Sequence, residues 1–486
     1  MKNIFKKLSP LALAFIMLTG CEKEYLDTKP TNQVPFESVF TNTDAAYVAL
    51  NGTYRSLWTS LGTGHDAYGQ KAVDLTMDLM GNDMMHHTQG YSWFIGDYRI
   101  ISGASAAAGS RSEIEWQFYY RTITNVNNIL ANLEAATGSD VDKENIKGQA
   151  LALRAYCYFY LANLWQHTYK GHENALAVPL YTEPTIVGKP RATVQEVYNQ
   201  IVADLTQAET LLTGKTRKHI SHINAATAKG IRARVALQME DWQVAATKAA
   251  EARQGATLMT AAAYPSGFAK SNSEWIWGLE VPNDQATIYA SFFSHMDPSA
   301  GGYATLGNQK KITKELYDKI PAGDVRKTVF RTPGTGTSTI PDYTGTKFKL
   351  PTAGSWAGDY VLMRASELYL IEAEANARLG QDAAAKTALE TLVKTRFPAY
   401  VAPATNAALI NEVLLQRRIE LWGEGVSLLD LKRLKLPLNR PTGEGNHNAT
   451  LAQTLTLPAE DPKWLFRIPQ DEINQNESIE PADQNP

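Results

Sequence analysis

An apolar stripe with helical spacing recurs at three places along this chain of 486 residues. Within residues 361–396, the apolar side chains of Leu368, Ile371, Ala375 and Leu379 follow one another at steps of 3, 4 and 4 residues. Such steps place side chains on one face of an α-helix. Two further stripes have the same spacing: Ala228, Ile231, Val235 and Met239, and Leu153, Tyr156, Tyr160 and Leu164. The chain is therefore expected to contain repeated amphipathic helices.

A break and a second helix follow the first of these stripes. Gly380 interrupts the pattern, and an Ala-rich helix is expected from Asp382 to Arg396. A helix pair that recurs along one chain indicates a tetratricopeptide-like solenoid, because each pair buries its stripe only by stacking on its neighbours. The stripes lie much farther apart than the roughly 34 residues of tandem repeats, so long insertions must separate the pairs.

We predict an all-α fold, a tetratricopeptide-like helical repeat scaffold with long insertions of loop and short strand. The insertions are expected to carry the ligand face, since loops on a rigid scaffold commonly carry function. The scaffold is expected at about 113–253 and 360–435, and the insertions at about 58–112 and 254–359. A helix is also predicted over Phe36–Leu57, and Thr193 and Glu196 have the spacing of a capping box for a helix over 194–212.

Charge and cysteine content exclude some classes of protein. The net charge of −3 becomes −6 without the first twenty residues, which hold Lys2, Lys6 and Lys7 and no acid. A mildly acidic chain lacks the basic footprint of nucleic-acid binding, so no nucleic-acid partner is expected. Two cysteines cannot form a disulfide framework, and Cys157 lies in an apolar helical pattern that favours a buried core position.

The N-terminus has the pattern of an exported, lipid-anchored protein. Basic residues precede an apolar run from Leu8 to Leu18, which is too short to span a bilayer and is typical of a signal peptide over residues 1–20. The run ends in Leu18-Thr19-Gly20-Cys21, which resembles a bacterial lipobox. That resemblance implies lipidation of Cys21 and attachment to a membrane through the N-terminal lipid. Residues 21–35, with two prolines, are expected to form a tether.

The first insertion concentrates aromatic and polar side chains in DLMGNDMMHHTQGYSWFIGDYR. Aromatic faces stack on the C–H faces of sugar rings, while carboxylate, amide and guanidinium groups bind hydroxyls. The composition suits a carbohydrate platform, and equally a peptide groove; about half of the rings are expected only to pin the loop to the helices. Seven residues are ligand candidates: Asn82, Asp83, His86, Tyr91, Trp93, Tyr98 and Arg99.

The second insertion adds three candidates, Tyr289, His295 and Tyr303, which lie among Ser, Asp, Asn and Gly without periodicity. If a binding face exists, this insertion is expected to meet the 82–99 loop on it. Trp275 and Trp277 alternate with smaller residues and favour a short buried strand instead of a ligand platform.

Patterns typical of catalysis, metal binding and cofactor binding are missing from the sequence. It has no Gly-x-Ser-x-Gly elbow, no Walker loop and no His-Glu-x-x-His. The adjacent pair His86-His87 has no spaced partner set, so neither a metal nor a cofactor is expected. A lipid-anchored hydrolase stays open as an alternative, because the 50 acidic residues contain many possible carboxylate pairs.

Motifs spread along the whole mature chain resemble one family. Asn51-Gly52-Thr53-Tyr54 ends the first predicted helix, and Ile468-Pro469 begins a typical ending. A third motif is carried by Arg154, Ala155, Tyr158 and Leu161, and the C-terminal block by Arg417, Arg418, Glu420, Leu421, Glu424, Gly425, Asp430, Leu431, Lys432 and Arg433. In this order they resemble the SusD/RagB nutrient-binding lipoproteins. Val426–Leu429 depart from the usual pattern, which puts local packing in doubt. In the same block, Arg417 and Glu420 are spaced for an i, i+3 ion pair.

The resemblance implies a single SusD-like domain over residues 36–486 without catalytic activity. It implies an outer-membrane protein, facing the cell exterior, that captures a glycan and delivers it to a SusC-like TonB-dependent transporter. A peptide ligand is the alternative within the family, and a helical-repeat adaptor that binds only proteins is the alternative outside it.

Overall fold

The computed structural model describes residues 40–62 and 64–486. The predicted signal peptide at 1–20, the tether at 21–35 and the lipid attachment at Cys21 lie outside the described residues. Within residues 40–62 and 64–486, none of the helices is both long and apolar enough to cross a membrane.

The described residues contain sixteen α-helices and eight short β-strands. The helices are α1 Thr43–Ser56, α2 Gln70–Leu79, α3 Ile95–Tyr98, α4 Arg111–Asn132, α5 Asp140–Trp165, α6 Val194–Leu212, α7 Ala225–Met239, α8 Trp242–Ala252, α9 Phe292–Met296, α10 Lys314–Asp318, α11 Ala365–Arg378, α12 Asp382–Arg396, α13 Asn406–Glu420, α14 Ser427–Arg433, α15 Ala449–Ala452 and α16 Gln470–Gln475. The strands are β1 Met84–His86, β2 Leu176–Pro179, β3 Arg191–Thr193, β4 Trp275–Leu279, β5 Lys310–Ile312, β6 Tyr360–Arg364, β7 Leu438–Asn439 and β8 Thr456–Leu457.

The long helices form one continuous stack. Each of α4 to α7 packs against the next helix in the chain, α1 packs on α4, and α11 packs on α12 and α13. Helix α8 also packs directly on α11, so the 112 residues between them (365 − 252 − 1) are looped out of the stack. This architecture confirms the tetratricopeptide-like fold, in which each helix pair buries its apolar face against its neighbours.

The predicted apolar stripes line the helix interfaces. Leu368, Ile371 and Ala375 are fully buried in α11, and the stripe that contains Tyr156 is buried in α5. Leu379 differs, because α11 ends at Arg378 and Leu379 is partly exposed beside Gly380, whose φ is +73°. Glycine adopts this left-handed conformation at no steric cost, so it permits the turn into α12.

Three sequence-based boundaries or contacts are corrected by the structure. The helix expected from residue 361 begins at Ala365, because 360–364 form β6 and pair with β4. The N-terminal helix begins at Thr43, where the Asn42 side chain accepts a hydrogen bond from the backbone N–H of Ala45. The third correction concerns Arg417, which pairs with Asp430 at 2.7 Å and not with Glu420.

Glu420 belongs instead to a buried ion network that joins the second insertion to the scaffold. We define this network as Glu274, Arg326, Arg364, Arg396 and Glu420, all at most 1% exposed. The Glu420 carboxylate lies 3.0 Å from the Arg364 guanidinium and 3.1 Å from that of Arg396. Arg396 also lies 3.0 Å from Glu274, next to β4. The ends of β6, α12 and α13 therefore meet at one paired cluster of charges.

The two insertions are joined by a two-stranded ribbon. Strands β1 and β5 are antiparallel, with Met84 opposite Ile312 and His86 opposite Lys310. The backbone N–H of His87 continues the pairing by donating to the Gln309 carbonyl at 3.0 Å. The ribbon holds the loop that follows His87 beside the loop that precedes Gln309.

Candidate ligand-binding site

Five aromatic side chains from the two insertions form one cluster, which we call the aromatic platform: His65, Tyr91, Trp93, Tyr289 and Tyr303. The exposed fraction is 60% for Tyr91 and 43% for Tyr289, whereas Tyr303 is 6% exposed and lies at the centre. Trp93 is partly buried against the core. The platform therefore combines fixed rings with rings that reach solvent.

The ring geometry is that of a tilted, interlocking set. The ring centroid of Tyr303 lies 5.2 Å from that of Tyr91, 5.4 Å from that of Tyr289 and 5.9 Å from that of Trp93. His65 stacks on Tyr289 at 5.8 Å with an angle of 11° between the ring planes. Such offset and edge contacts are the favoured arrangements of aromatic pairs, and they position the rings before any ligand arrives.

A second layer of buried rings supports the platform from below. His295 stacks under Tyr303 at 5.1 Å and also stacks on Tyr68 at 5.5 Å. Its Nε2 donates a hydrogen bond to the backbone carbonyl of His65 at 2.9 Å. Burial and the charge of Lys310 lower the pKa of His295 well below its usual value, so the ring is neutral and packs as an aromatic spacer.

The loop that carries Tyr91 and Trp93 is held in an unusual backbone conformation. Ser92 has a φ of +67° and Phe94 a φ of +61°, although neither is glycine. Each such residue costs about 1–3 kcal/mol and persists only where its surroundings enforce it. Asn308 supplies part of that constraint, since its amide donates to the Trp93 carbonyl at 3.3 Å and its side chain lies 3.1 Å from a Cβ placed on Gly90.

Three of the ten predicted ligand residues belong to the platform and have exposed or partly exposed rings: Tyr91, Trp93 and Tyr289. A fourth, Tyr303, is at its centre. Asn82 and Arg99 lie away from it at the surface and bind neighbouring backbone. The Asn82 side chain accepts from the Asn439 N–H at 2.9 Å, and Arg99 donates to the Leu451 carbonyl at 3.1 Å.

The other four predicted ligand residues are buried and engaged internally, so they do not present their side chains to a ligand here. Asp83 is bound by both Nε and Nη2 of Arg418, at 2.8 and 2.6 Å. Tyr98 is 0% exposed, and its hydroxyl bonds to His447 Nδ1 at 2.7 Å. His86 bonds to Asn308, and His295 supports the platform as described above.

His65 was not among the predicted residues. It lies in a Gly-rich stretch, Leu61-Gly62-Thr63-Gly64-His65, that has no period and no neighbouring aromatic cluster. Its Nδ1 lies 2.6 Å from the Tyr303 hydroxyl, a contact between residues 238 positions apart. The available signal was a histidine preceded by Gly62 and Gly64 inside an insertion already expected to carry the ligand face.

Metal binding has no support among the described residues. In residues 40–62 and 64–486, no group of three or more His, Cys, Asp and Glu side chains is arranged to hold a metal ion. Asp66, next to His65, is paired with Arg111 at 2.6 Å, so its charge is already compensated.

Comparison with known families identifies the family of this chain. The profile of a family described as "Starch-binding associating with outer membrane" matches residues 24–237, and the profile of the SusD family matches residues 343–486. The chain belongs to the SusD/RagB family. The two matched ranges contain most of the scaffold and the first insertion, and most of the second insertion lies between them.

Relatives of this SusD/RagB chain are distant in sequence. A SusD-like protein of Formosa agariphila is 25% identical over 284 residues, which are 54% of this chain and 50% of the relative. A SusD-like protein of Bacteroides ovatus is 23% identical over 50% of this chain and 41% of its own length. The chain thus matches about half the length of these curated relatives.

A solved structure matches nearly the whole SusD/RagB chain. It is called a SusD-like carbohydrate binding protein and comes from Bacteroides vulgatus. The two share 28% sequence identity and superpose with a TM-score of 0.81 over 92% of this chain and 99% of the other.

Proposed function

We propose that this protein binds a glycan on the aromatic platform and does not act on it chemically. The observation that carries the proposal is the meeting of Tyr91, Trp93, Tyr289 and Tyr303 from two insertions on one partly open face. Sugar rings present flat C–H faces that pack against such side chains. Fixed rings lose little conformational entropy on binding, which favours affinity.

Polar groups between the rings suit the hydroxyls of a sugar. The Tyr303 hydroxyl and the His65 imidazole are held together at 2.6 Å in the centre of the platform. A phenol hydroxyl both donates and accepts hydrogen bonds, so it matches a sugar hydroxyl in either direction. Asp66 follows His65 of the platform directly, and Asp97 lies four positions after Trp93. Both carboxylates face the buried Arg111. This arrangement supports binding without catalysis.

The anchoring and delivery steps are further parts of the proposal. We propose that lipidated Cys21 attaches the protein to the outer membrane, facing the cell exterior, and that a SusC-like TonB-dependent transporter receives the glycan. The description of the matching family as associated with the outer membrane supports this placement, as does the name of the solved relative, a carbohydrate binding protein.

Native gels that each contain one polysaccharide test the proposal, with the wild-type protein beside Trp93→Ala. Retardation of the wild type in at least one polymer and its loss in the variant are the expected results. Trp242→Ala is the matched control, because Trp242 is also a partly buried tryptophan but is the first residue of scaffold helix α8. That variant should keep wild-type retardation.

Other outcomes separate the alternatives. Retardation that persists in Trp93→Ala would keep glycan binding and move it away from the platform. A wild-type protein that no polymer retards would favour a peptide ligand or a purely protein-binding role. Release of shorter sugars from a retarding polymer would contradict the absence of catalysis.

A further inference from the structure

A cleft that is separate from the aromatic platform lies against the β1–β5 ribbon. Because side chains alternate along a strand, Met85 and its partner Lys311 share one ribbon face, together with His87. His86 and Lys310 belong to the opposite, buried face, where His86 bonds to Asn308 under the platform loop, although His86 also forms part of the cleft lining. The outward face and the 442–449 segment enclose a cleft of ≈ 500 Å³.

The cleft carries an unbalanced positive charge. Lys311 is the charged residue of its lining, and none of the described residues that line it is acidic. No described residue gives the Lys311 ammonium a hydrogen bond or an ion pair. Burial lowers the pKa of Lys311 and Asp342 opposes this effect, but the two carboxylate oxygens of Asp342 accept from the backbone N–H groups of Gly334 and Gly336 at 2.8 and 2.7 Å. The Lys311 ammonium lies 5.9 Å from the centroid of the Tyr343 ring, and this cation–π contact leaves its positive charge unneutralised. Lys311 is partly buried, and a partly buried cation without an anionic partner favours an anionic ligand.

The histidines of the cleft are neutral and do not form a metal site. His447 uses both ring nitrogens internally, with Nδ1 at 2.7 Å from the Tyr98 hydroxyl and Nε2 at 2.9 Å from the Asn82 carbonyl. Burial lowers the pKa of His447 to about 4, and burial and Lys311 lower that of His87. The cleft therefore offers one cation among neutral donors and acceptors.

Amide groups at the rim provide directional contacts beside that cation. Asn446 and Asn448 each use the side-chain oxygen internally, accepting from the N–H groups of Glu315 and Leu451 at 3.2 and 3.0 Å. Their NH₂ groups donate to no described residue and stay available for hydroxyl or anionic oxygens. His87 lies four positions before Tyr91 in the same loop, so the cleft and the platform adjoin through one segment.

We infer that this cleft is a second glycan subsite, which takes a sugar unit bearing an anionic group, a carboxylate or a sulfate. Lys311 pairs with the anion, and the rim amides bind the flanking oxygens. The inference rests on the proposed glycan binding and adds a substrate class, an acidic polysaccharide.

Matched ligands test it, because they differ only in charge. Binding is measured by titration calorimetry with oligogalacturonides and their methyl esters, and with a sulfated galactan oligomer and its desulfated product. Wild-type protein should bind at least one acidic form about tenfold more tightly than its neutral form, the effect of one charge-assisted hydrogen bond. Lys311→Met should abolish this preference and leave the affinity for the neutral form unchanged.

Three variants control for folding and for net charge. Lys311→Arg should keep the preference. Lys394→Met removes the same charge from scaffold helix α12, where Lys394 is exposed and paired with Glu390, and should have no effect. Ala449→Glu adds a carboxylate at an exposed rim position and should lower affinity for the acidic form alone.

Equal affinities for the acidic and neutral forms would overturn the inference, while loss of both in Trp93→Ala would still support the proposed function. A preference that survives in Lys311→Met would also overturn it. If inorganic sulfate competes as well as the sulfated oligomer, the cleft binds the anion without recognising the sugar, which would also overturn the inference. An unretarded protein with no affinity for any glycan would contradict the proposed function itself.

Discussion

The buried ion network and the aromatic platform are two clusters built from distant parts of the chain, and they use opposite physical means. In the network, Arg364, Arg396 and Glu420 are 0% exposed, and each charge is bound by opposite charges. In the platform, Tyr91 and Tyr289 keep about half of their surface open. The network leaves nothing unpaired for a ligand, whereas the platform leaves ring faces without a partner.

The difference shows which sequence signal reports on stability and which on binding. The most specific motif, the C-terminal block, supplies Glu420 to the network and Arg418 to Asp83. It therefore stabilises the joint between insertions and scaffold. The weak signal, aromatic residues scattered among Gly, Ser and Asn, supplies the surface on which a ligand can pack.

The largest expected effect is on the network. Glu420→Ala leaves Arg396 with Glu274 and leaves Arg364 with Glu274 and Glu424. Removing one partner of a buried ion pair costs about 3–5 kcal/mol of unfolding free energy. Urea denaturation followed by circular dichroism measures the change. Glu134→Ala is the control, since Glu134 is mostly exposed and pairs with Lys147 at 3.1 Å. That control should change the unfolding free energy by at most about 1 kcal/mol.

The second prediction compares two buried glutamates whose pKa values move in opposite directions. Burial tends to raise the pKa of Glu424, but Arg364 and Lys347 outweigh it and lower the pKa to about 2. Burial raises the pKa of Glu115 to about 8, although Arg111 opposes it. The ordinary value is 4.5 for both.

The signs of their effects on stability follow from linkage. Ionised Glu424 stabilises the fold above pH 4.5, and this contribution is lost as the pH falls toward 2. Protonated Glu115 stabilises the fold below pH 4.5, and that contribution is lost as the pH rises through 8. In urea titrations across this range, Glu115→Gln should gain stability relative to wild type as the pH rises. The deficit of Glu424→Gln should shrink as the pH falls, and parallel pH profiles for all three proteins would refute both assignments.

The third prediction separates open from buried tyrosines within the predicted site. Tyr289→Ala removes a half-exposed ring and should weaken binding of the retarding glycan about fivefold, near 1 kcal/mol. Tyr98→Phe removes a hydroxyl that bonds to His447 in the interior and should leave the affinity unchanged. Titration calorimetry measures both affinities. An equal loss in the two variants would mean that both substitutions act through the structure of the loop and that the ligand does not contact the Tyr289 ring.

The smallest expected effect concerns the centre of the platform. Tyr303→Phe keeps the ring and its stacking on His295 but removes the hydroxyl that lies 2.6 Å from His65 Nδ1. Loss of this one hydrogen-bonding group should weaken glycan binding about twofold. A loss as large as that of Tyr289→Ala would show that the Tyr303–His65 pair contacts the ligand directly, and an unchanged affinity would show that it only positions the rings.

The sequence alone determined the helices and their stacking principle. The stripes at Leu368 and Tyr156 identified buried helix faces, because helical periodicity is a local property that needs no knowledge of the partner. Thr193 and Glu196 form the expected capping box, and α6 spans the predicted 194–212. These features depend on residues within one or two turns of each other.

Only the tertiary structure decided which candidate side chains are open. Asp83 and Arg418, which form a hydrogen bond, are 335 positions apart in the chain, and Tyr98 and His447 are 349 apart. Burial of a loop side chain depends on such distant segments, and neither periodicity nor composition encodes their arrangement. For the same reason His65 joined the platform unpredicted. The local pattern specified the scaffold, and long-range packing selected the binding surface.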